Sequence, residues 1–185
     1  MTEIDNNICC LIKFITILDN NGNLLYGKYY SIKEPEKQRE LEKKLCMNFK
    51  NLNIPLNELD AFNMEEYNVF VKVSGELALF IATDENDNEC LAYNFFKIFE
   101  YTLSNLLQDN YSRTKFLETY DKIVVMIDEM VDDGIVVNTD TDSLERLSGN
   151  KTEAGGGQFI SFANLDSPKT GFFGSFFSGA KSLFG

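Results

Sequence analysis

The sequence predicts an α+β fold, an antiparallel sheet with helices on both faces. Three observations predict it. Two pairs of apolar runs are each joined by a tight-turn dipeptide, as in hairpins. The segments between and after them repeat apolar residues at three- and four-residue spacing, as amphipathic helices do. The order that results (strand, strand, helix, three short strands, helix, helix) packs as a sheet between helices.

The first run, Ile8 to Asp19 (ICCLIKFITILD), is β-branched and apolar with little alternation, which predicts a central strand covered on both faces. NNGN at residues 20–23 supplies an Asn-Gly turn that tolerates positive φ, and LLYGKYY follows as the second strand. Pro35 fits a first helical turn, and Leu41, Leu45 and Phe49 recur at four-residue spacing, so residues 35–50 form an amphipathic helix. NLNIPLNELD ends it. NVFVKVS and LALFIATD, joined by Gly75-Glu76, make a second hairpin, preceded by a short strand near Ala61 to Met64. The sheet therefore has four or five antiparallel strands.

DENDNE marks the next boundary, and from Leu91 a long helix places Ala92, Phe95, Phe96, Phe99, Leu103, Leu106 and Leu107 on one broad face. DNYSR interrupts it. Leu117, Tyr120, Ile123, Ile127 and Met130 then predict a further helix, with Gly134 as its C-cap and IVVNTD as a last extended piece. Three units follow: a folded domain over 1–142, a linker over 143–170 that contains SGNKTEAGGGQ and is flexible by composition, and a Phe-rich segment over 171–185.

Composition narrows the function. The chain of 185 residues has 44% apolar residues, enough for one core, and a formal charge of -12. Residues after Asp142 are close to neutral, so the first unit holds the negative excess and would repel nucleic acid and anionic lipid. No stretch is apolar enough to span a bilayer, and the acidic start MTEIDNNICC is unlike a signal peptide, which predicts a cytoplasmic protein. Cys9, Cys10, Cys46 and Cys90 form no C-x-x-C pair and are expected to be reduced. With no histidine in the chain, ordinary hydrolytic triads and Cys/His zinc sites are excluded.

The remaining candidates for chemistry read as ordinary structure. DNNGN (19–23), DENDNE (84–89) and DTD (140–142) are acidic, yet the second has Glu89 where a calcium loop needs glycine and Phe95 where it needs a bidentate glutamate. Solvated turns explain all three. Gly27-Lys28 lacks the glycine-spaced loop of a phosphate cradle. Asp128, Glu129, Asp132 and Asp133 crowd one helix C-terminus, where negative charge is unfavourable unless a cation from elsewhere meets it. They are expected to be a solvated end or a docking patch. No enzyme, cofactor, metal or small-molecule substrate is expected.

Two stretches carry a resemblance. IKFITILDNNGNLLYGKYY (12–30) resembles the opening hairpin of the coatomer zeta subunit family, a strand ending in L-D-N, an Asn/Asp-Gly turn and a strand closing in K-Y-Y. MIDEMVDDGIVVNTD (126–140) is similar to that family's D-E-I-V-D-G-G-V-I-L-E-S-D signature. The clathrin-adaptor sigma subunits share a looser version of both. Over residues 8–142 the resemblance implies a longin-like (SNARE-like) fold, a five-stranded antiparallel sheet flanked by helices. It also implies a small structural subunit of the heptameric coatomer coat. Such a subunit would pair with the gamma-type large subunit and be brought by an Arf-family GTPase to the Golgi membrane surface, where it would serve Golgi-to-ER and intra-Golgi transport. The carboxylates at 128, 129, 132 and 133 would then be a coat-partner patch. Leu24 stands where the family often has arginine, and Asp133 replaces the first glycine of D-G-G. A clathrin-adaptor sigma subunit and a free longin-type regulator of a trafficking GTPase or SNARE remain the alternatives.

The segment GFFGSFFSGAKSLFG does not follow the family's polar ending. On a helical wheel, Phe172, Phe173, Phe176, Phe177, Ala180, Leu183 and Phe184 fall within an arc of about 140°. That separation resembles an amphipathic lipid-packing segment, with docking into a partner groove or no role as the alternatives.

Overall fold

The computed structural model describes residues 11–51 and 54–147. The predicted strand positions 8–10 with Cys9 and Cys10, the linker beyond 147, and residues 171–185 lie outside the described residues.

Five strands form one antiparallel sheet: β1 (Ile12–Asp19), β2 (Leu24–Tyr29), β3 (Leu59–Met64), β4 (Tyr67–Ser74) and β5 (Leu77–Asp84), in the order β2-β1-β5-β4-β3. β1 and β5 are buried almost throughout, as their unbroken apolar runs require. Side chains alternate between two cores. Phe14, Leu18, Ala78, Phe80, Ala82, Val69 and Val71 face helix α1 (Pro35–Asn51), which contributes Leu41 and Leu45. Ile15, Ile17, Leu77, Leu79, Ile81 and Phe70 face the opposite core with Phe95, Phe96 and Phe99 of helix α2 (Glu89–Leu107). The longin-like arrangement, with helices on both faces, is thus observed.

The acidic turns are closed by their own side chains. Asp19 accepts hydrogen bonds from the Asn21 and Asn23 N–H groups at 2.9 and 2.8 Å and from the Asn23 side chain at 2.9 Å, while Gly22 takes φ 83°. Asp84 accepts from the Asn86 N–H at 3.1 Å, and Asn88 caps α2 by accepting from the Cys90 N–H at 3.0 Å. Inside, Lys72 of β4 and Glu100 of α2 form a largely buried ion pair that ties sheet to helix.

Beyond α2 the structure departs from the periodic pattern. The predicted helix over 117–130 is two helices, α3 (Arg113–Glu118) and α4 (Tyr120–Met130), separated at Thr119 with φ -105° and ψ 3°. Thr119 Oγ1 donates to the Lys115 carbonyl at 2.8 Å, the local bond that competes with helix continuation. Phe116 is the buried residue of α3, whereas Leu117 is half exposed. Nor does Gly134 cap a helix. α4 ends at Val131 in extended conformation, and Gly134 instead turns a small hairpin of β6 (Val131–Asp132) and β7 (Ile135–Val136). Asp133 and Gly134 both have positive φ, 46° and 85°, as a two-residue Asp-Gly hairpin turn demands.

A boundary at residue 142 also falls inside an element. Helix α5 (Thr141–Leu147) continues the fold, with Leu144 fully buried against the α2 and α4 side. A seven-residue helix has too little propensity to persist alone. Burial of that one leucine, worth about 1.5–3 kcal/mol, holds it in place.

Candidate docking surface

Helices cover both faces of the sheet, so contact with another molecule falls to edges and outer helix faces. β2 is an edge strand, and its outer backbone groups have no strand partner among the described residues. α4 runs beside it. The Tyr26 and Tyr120 rings lie 6.2 Å apart, Phe116 and Tyr120 6.0 Å apart, and farther along Lys28 of β2 forms an ion pair with Asp128 of α4. The Lys28 ammonium also sits 5.3 Å from the Tyr30 ring centroid. Burial, then the Asp128 charge, pushes the Tyr26 phenol far above its ordinary value. Burial, Tyr26 and the carboxylates of Asp128 and Asp132 do the same to Tyr30.

The β6–β7 hairpin completes this corner. The Ile12 N–H donates to the Gly134 carbonyl at 2.7 Å, Leu11 bridges to Ile135, and the Val137 N–H donates to the Met130 carbonyl at 2.9 Å. A Cβ on Gly134 would lie 2.7 Å from the Ile12 carbonyl and 3.3 Å from Tyr30 Cβ, so the close approach needs glycine.

Of the residues singled out from sequence, Asp128, Glu129, Asp132 and Asp133 are all exposed at this corner. They are not equivalent. Asp128 is met by Lys28, the cation that a helix C-terminus rich in carboxylates calls for. Asp132 lies in β6 near Tyr30, Asp133 in the turn, and Glu129 on the outer face of α4. Sequence reasoning missed Lys28, Tyr26, Tyr30 and Tyr120. The available signal was a lysine inside an otherwise aromatic edge strand, G-K-Y-Y. Among the described residues, six of the ten exposed large hydrophobic ones lie on α3, α4, the hairpin or the segments touching it: Leu11, Leu117, Tyr120, Val125, Ile135 and Val137. The surface is thus apolar with an acidic border. The Phe-rich set at 172, 173, 176, 177, 183 and 184 lies outside the described residues.

The model of the Clathrin adaptor complex small chain family matches residues 11–152. The chain belongs to that family. Among relatives of this small chain, the coatomer subunit zeta-2 of Arabidopsis thaliana is 29% identical over 150 residues, covering 80% of this chain and 84% of the relative. The coatomer subunit zeta-3 of Oryza sativa subsp. japonica is 30% identical over 151 residues, covering 80% and 85%. The TSET complex member tstD of Dictyostelium discoideum is 30% identical over 149 residues, covering 76% and 94%. Among structures, a chain in a homology model of the full-length AP-3 complex in a stretched open conformation superposes with a TM-score of 0.56 at 14% identity, covering 75% of this chain and 91% of that one. That likeness concerns the fold alone. Family membership makes this protein a small subunit of a coat complex, built to pair with larger subunits.

Proposed function

We propose that this small chain is the zeta-type subunit of a coatomer coat, pairs with a gamma-type large subunit, and acts in Golgi-to-ER and intra-Golgi transport. One observation carries the reading. The two zeta-like stretches, 12–30 and 126–140, are joined in space by the Ile12 to Gly134 hydrogen bond and the Lys28–Asp128 ion pair. The resemblance is therefore to one built corner and not to two scattered motifs. Its role is assembly: apolar residues on α3, α4 and the β6–β7 hairpin bury against the large subunit, and the carboxylates at 128, 129, 132 and 133 meet basic residues around that contact. Recruitment to the cytoplasmic face of Golgi membranes by an Arf-family GTPase acts through the assembled coat.

The tstD relative supports a second reading, a TSET-type small subunit, because 94% of that protein is covered at 30% identity. Affinity purification of the tagged chain separates the readings. A gamma-type large coatomer subunit should co-purify in stoichiometric amount. TSET or clathrin-adaptor large subunits in its place would overturn the zeta assignment, and a monomer holding only a small GTPase would point to a free regulator.

A further inference from the structure

We propose that the outer face of α1 is a contact surface for anionic phospholipid headgroups. This goes beyond the large-subunit contact and does not depend on it, because α1 covers one face of the sheet whereas α2 and α4 cover the other. Residues 33–50 carry six basic and four acidic side chains, while the other described residues carry eight basic and twenty-one acidic ones. Pairing sharpens the contrast. Glu34 is paired with Lys37 at 3.6 Å and Glu40 with Lys44 at 2.9 Å, and Glu42 accepts a hydrogen bond from the Tyr29 hydroxyl at 2.8 Å. Lys33, Arg39, Lys43 and Lys50 are exposed and form no ion pair among the described residues.

Helix geometry aligns these cations. At helical spacing Arg39, Lys43, Met47 and Lys50 fall within an arc of about 80°, opposite Leu41 and Leu45, which are buried against the sheet. The row runs for about 16 Å along the helix. Met47 is 58% exposed among the cations, a flexible apolar side chain placed to enter a headgroup layer. Glu36 shares this side but sits in the first turn, where the helix N-terminus offsets its charge. A peptide partner would need apolar anchors repeated along the face, and this row offers Met47 alone. Basic clusters on an amphipathic helix instead attract anionic lipid, whose mobile headgroups adapt to cations set four and then seven residues apart. The acidic remainder of the domain does not cancel this attraction. With a helix about 10 Å across on each side of the sheet, the α4 carboxylates lie beyond the Debye length of about 8 Å at physiological salt.

The test is sedimentation of the full chain with large vesicles at low salt, phosphatidylcholine alone against phosphatidylcholine mixed with phosphatidylserine. Binding should require phosphatidylserine and be lost as salt rises. Arg39→Gln with Lys43→Gln and Lys50→Gln should lower the phosphatidylserine-dependent binding constant at least about tenfold. Lys97→Gln with Lys115→Gln and Arg146→Gln changes the net charge equally and should leave that binding within about twofold of the wild type. Thermal melting of both variants confirms that the domain stays folded, and the phosphatidylcholine arm measures any attachment made without charge. Equal binding to the two kinds of vesicle overturns the proposal, as does no binding to either. An equal loss in the two triple variants also overturns it, since net charge and not this face would then be responsible. So does binding to immobilised polyglutamate through Arg39, Lys43 and Lys50 without any to vesicles, which would make the face a site for acidic protein.

Discussion

Lys28 on the edge strand and Asp128 on α4 form an ion pair between residues a hundred positions apart, at the corner where the two family-like stretches meet. Both side chains are partly solvated, so the pair fixes register more than it stabilises. A double-mutant cycle with Lys28→Met and Asp128→Asn should give a coupling of about 0.2–1 kcal/mol that shrinks with added salt. Thermal or urea unfolding measures it. A coupling above about 2 kcal/mol would show that the pair is desolvated and the corner closed.

Gly134 sits at φ 85° with a carbonyl 2.7 Å from where a Cβ would go. Gly134→Ala should therefore destabilise the domain by about 2–4 kcal/mol, seen as a lower urea midpoint at unchanged slope. Asp133 occupies φ 46° at the position where the resembling family has its first glycine, and aspartate tolerates that region. Asp133→Gly should change stability by less than about 1 kcal/mol. Equal effects of the two substitutions would contradict the turn geometry.

Leu144 separates a folded element from a linker. If α5 is part of the domain, Leu144→Ala costs about 2–4 kcal/mol, whereas truncating an exposed linker residue costs almost nothing. Differential scanning calorimetry distinguishes the two. A melting temperature unchanged by Leu144→Ala would return the boundary to residue 142.

Local chemistry made much of this fold legible. The Asn-Gly turn, the unbroken β-branched runs and the helical spacing of apolar residues from Leu91 each state their element within a few residues, and β1, β2, β4, β5 and α2 follow from them. What stayed hidden depends on distant partners. Leu117 and Phe116 are equally plausible inward residues on a wheel, and only the break at Thr119 decides for Phe116. α5 is seven residues long, too short a stretch for periodicity to announce a helix. The acidic cluster was visible as composition, but Lys28, which sorts Asp128 from its neighbours, lies in another motif altogether.

Asp19 is 2% exposed, and burial alone would raise its carboxyl. The hydrogen bonds from the Asn23 side chain and from the Asn23 and Asn21 N–H groups, with Arg113 nearby, win and hold it below its ordinary value of 3.8. A depressed folded value means the stabilisation is present above pH 3.8 and is lost as pH falls through the lower folded value. Asp19→Asn should therefore melt below the wild type at pH 7, and the difference should disappear in strong acid. A gap that is unchanged from pH 7 to pH 2 would assign the effect to shape and not to charge.

The carboxylates bear on assembly in unequal measure. Asp128 already has Lys28 as partner, so its removal confuses an internal contact with an external one. Glu129, Asp132 and Asp133 are exposed without that complication, Asp133 being tied to the turn geometry and Asp132 lying near the Tyr30 phenol. Glu129→Lys with Asp132→Lys should leave the melting temperature within about 2 °C, since solvated surface changes shift stability little. Affinity for the large subunit should fall by about tenfold or more, through the association rate, and the loss should shrink as salt rises. Calorimetric titration at two ionic strengths, with stopped-flow mixing, reads both quantities. Unaltered affinity at low salt would move the interface away from this corner, and an equal loss at high salt would mean that the lysines block the contact by bulk instead of charge.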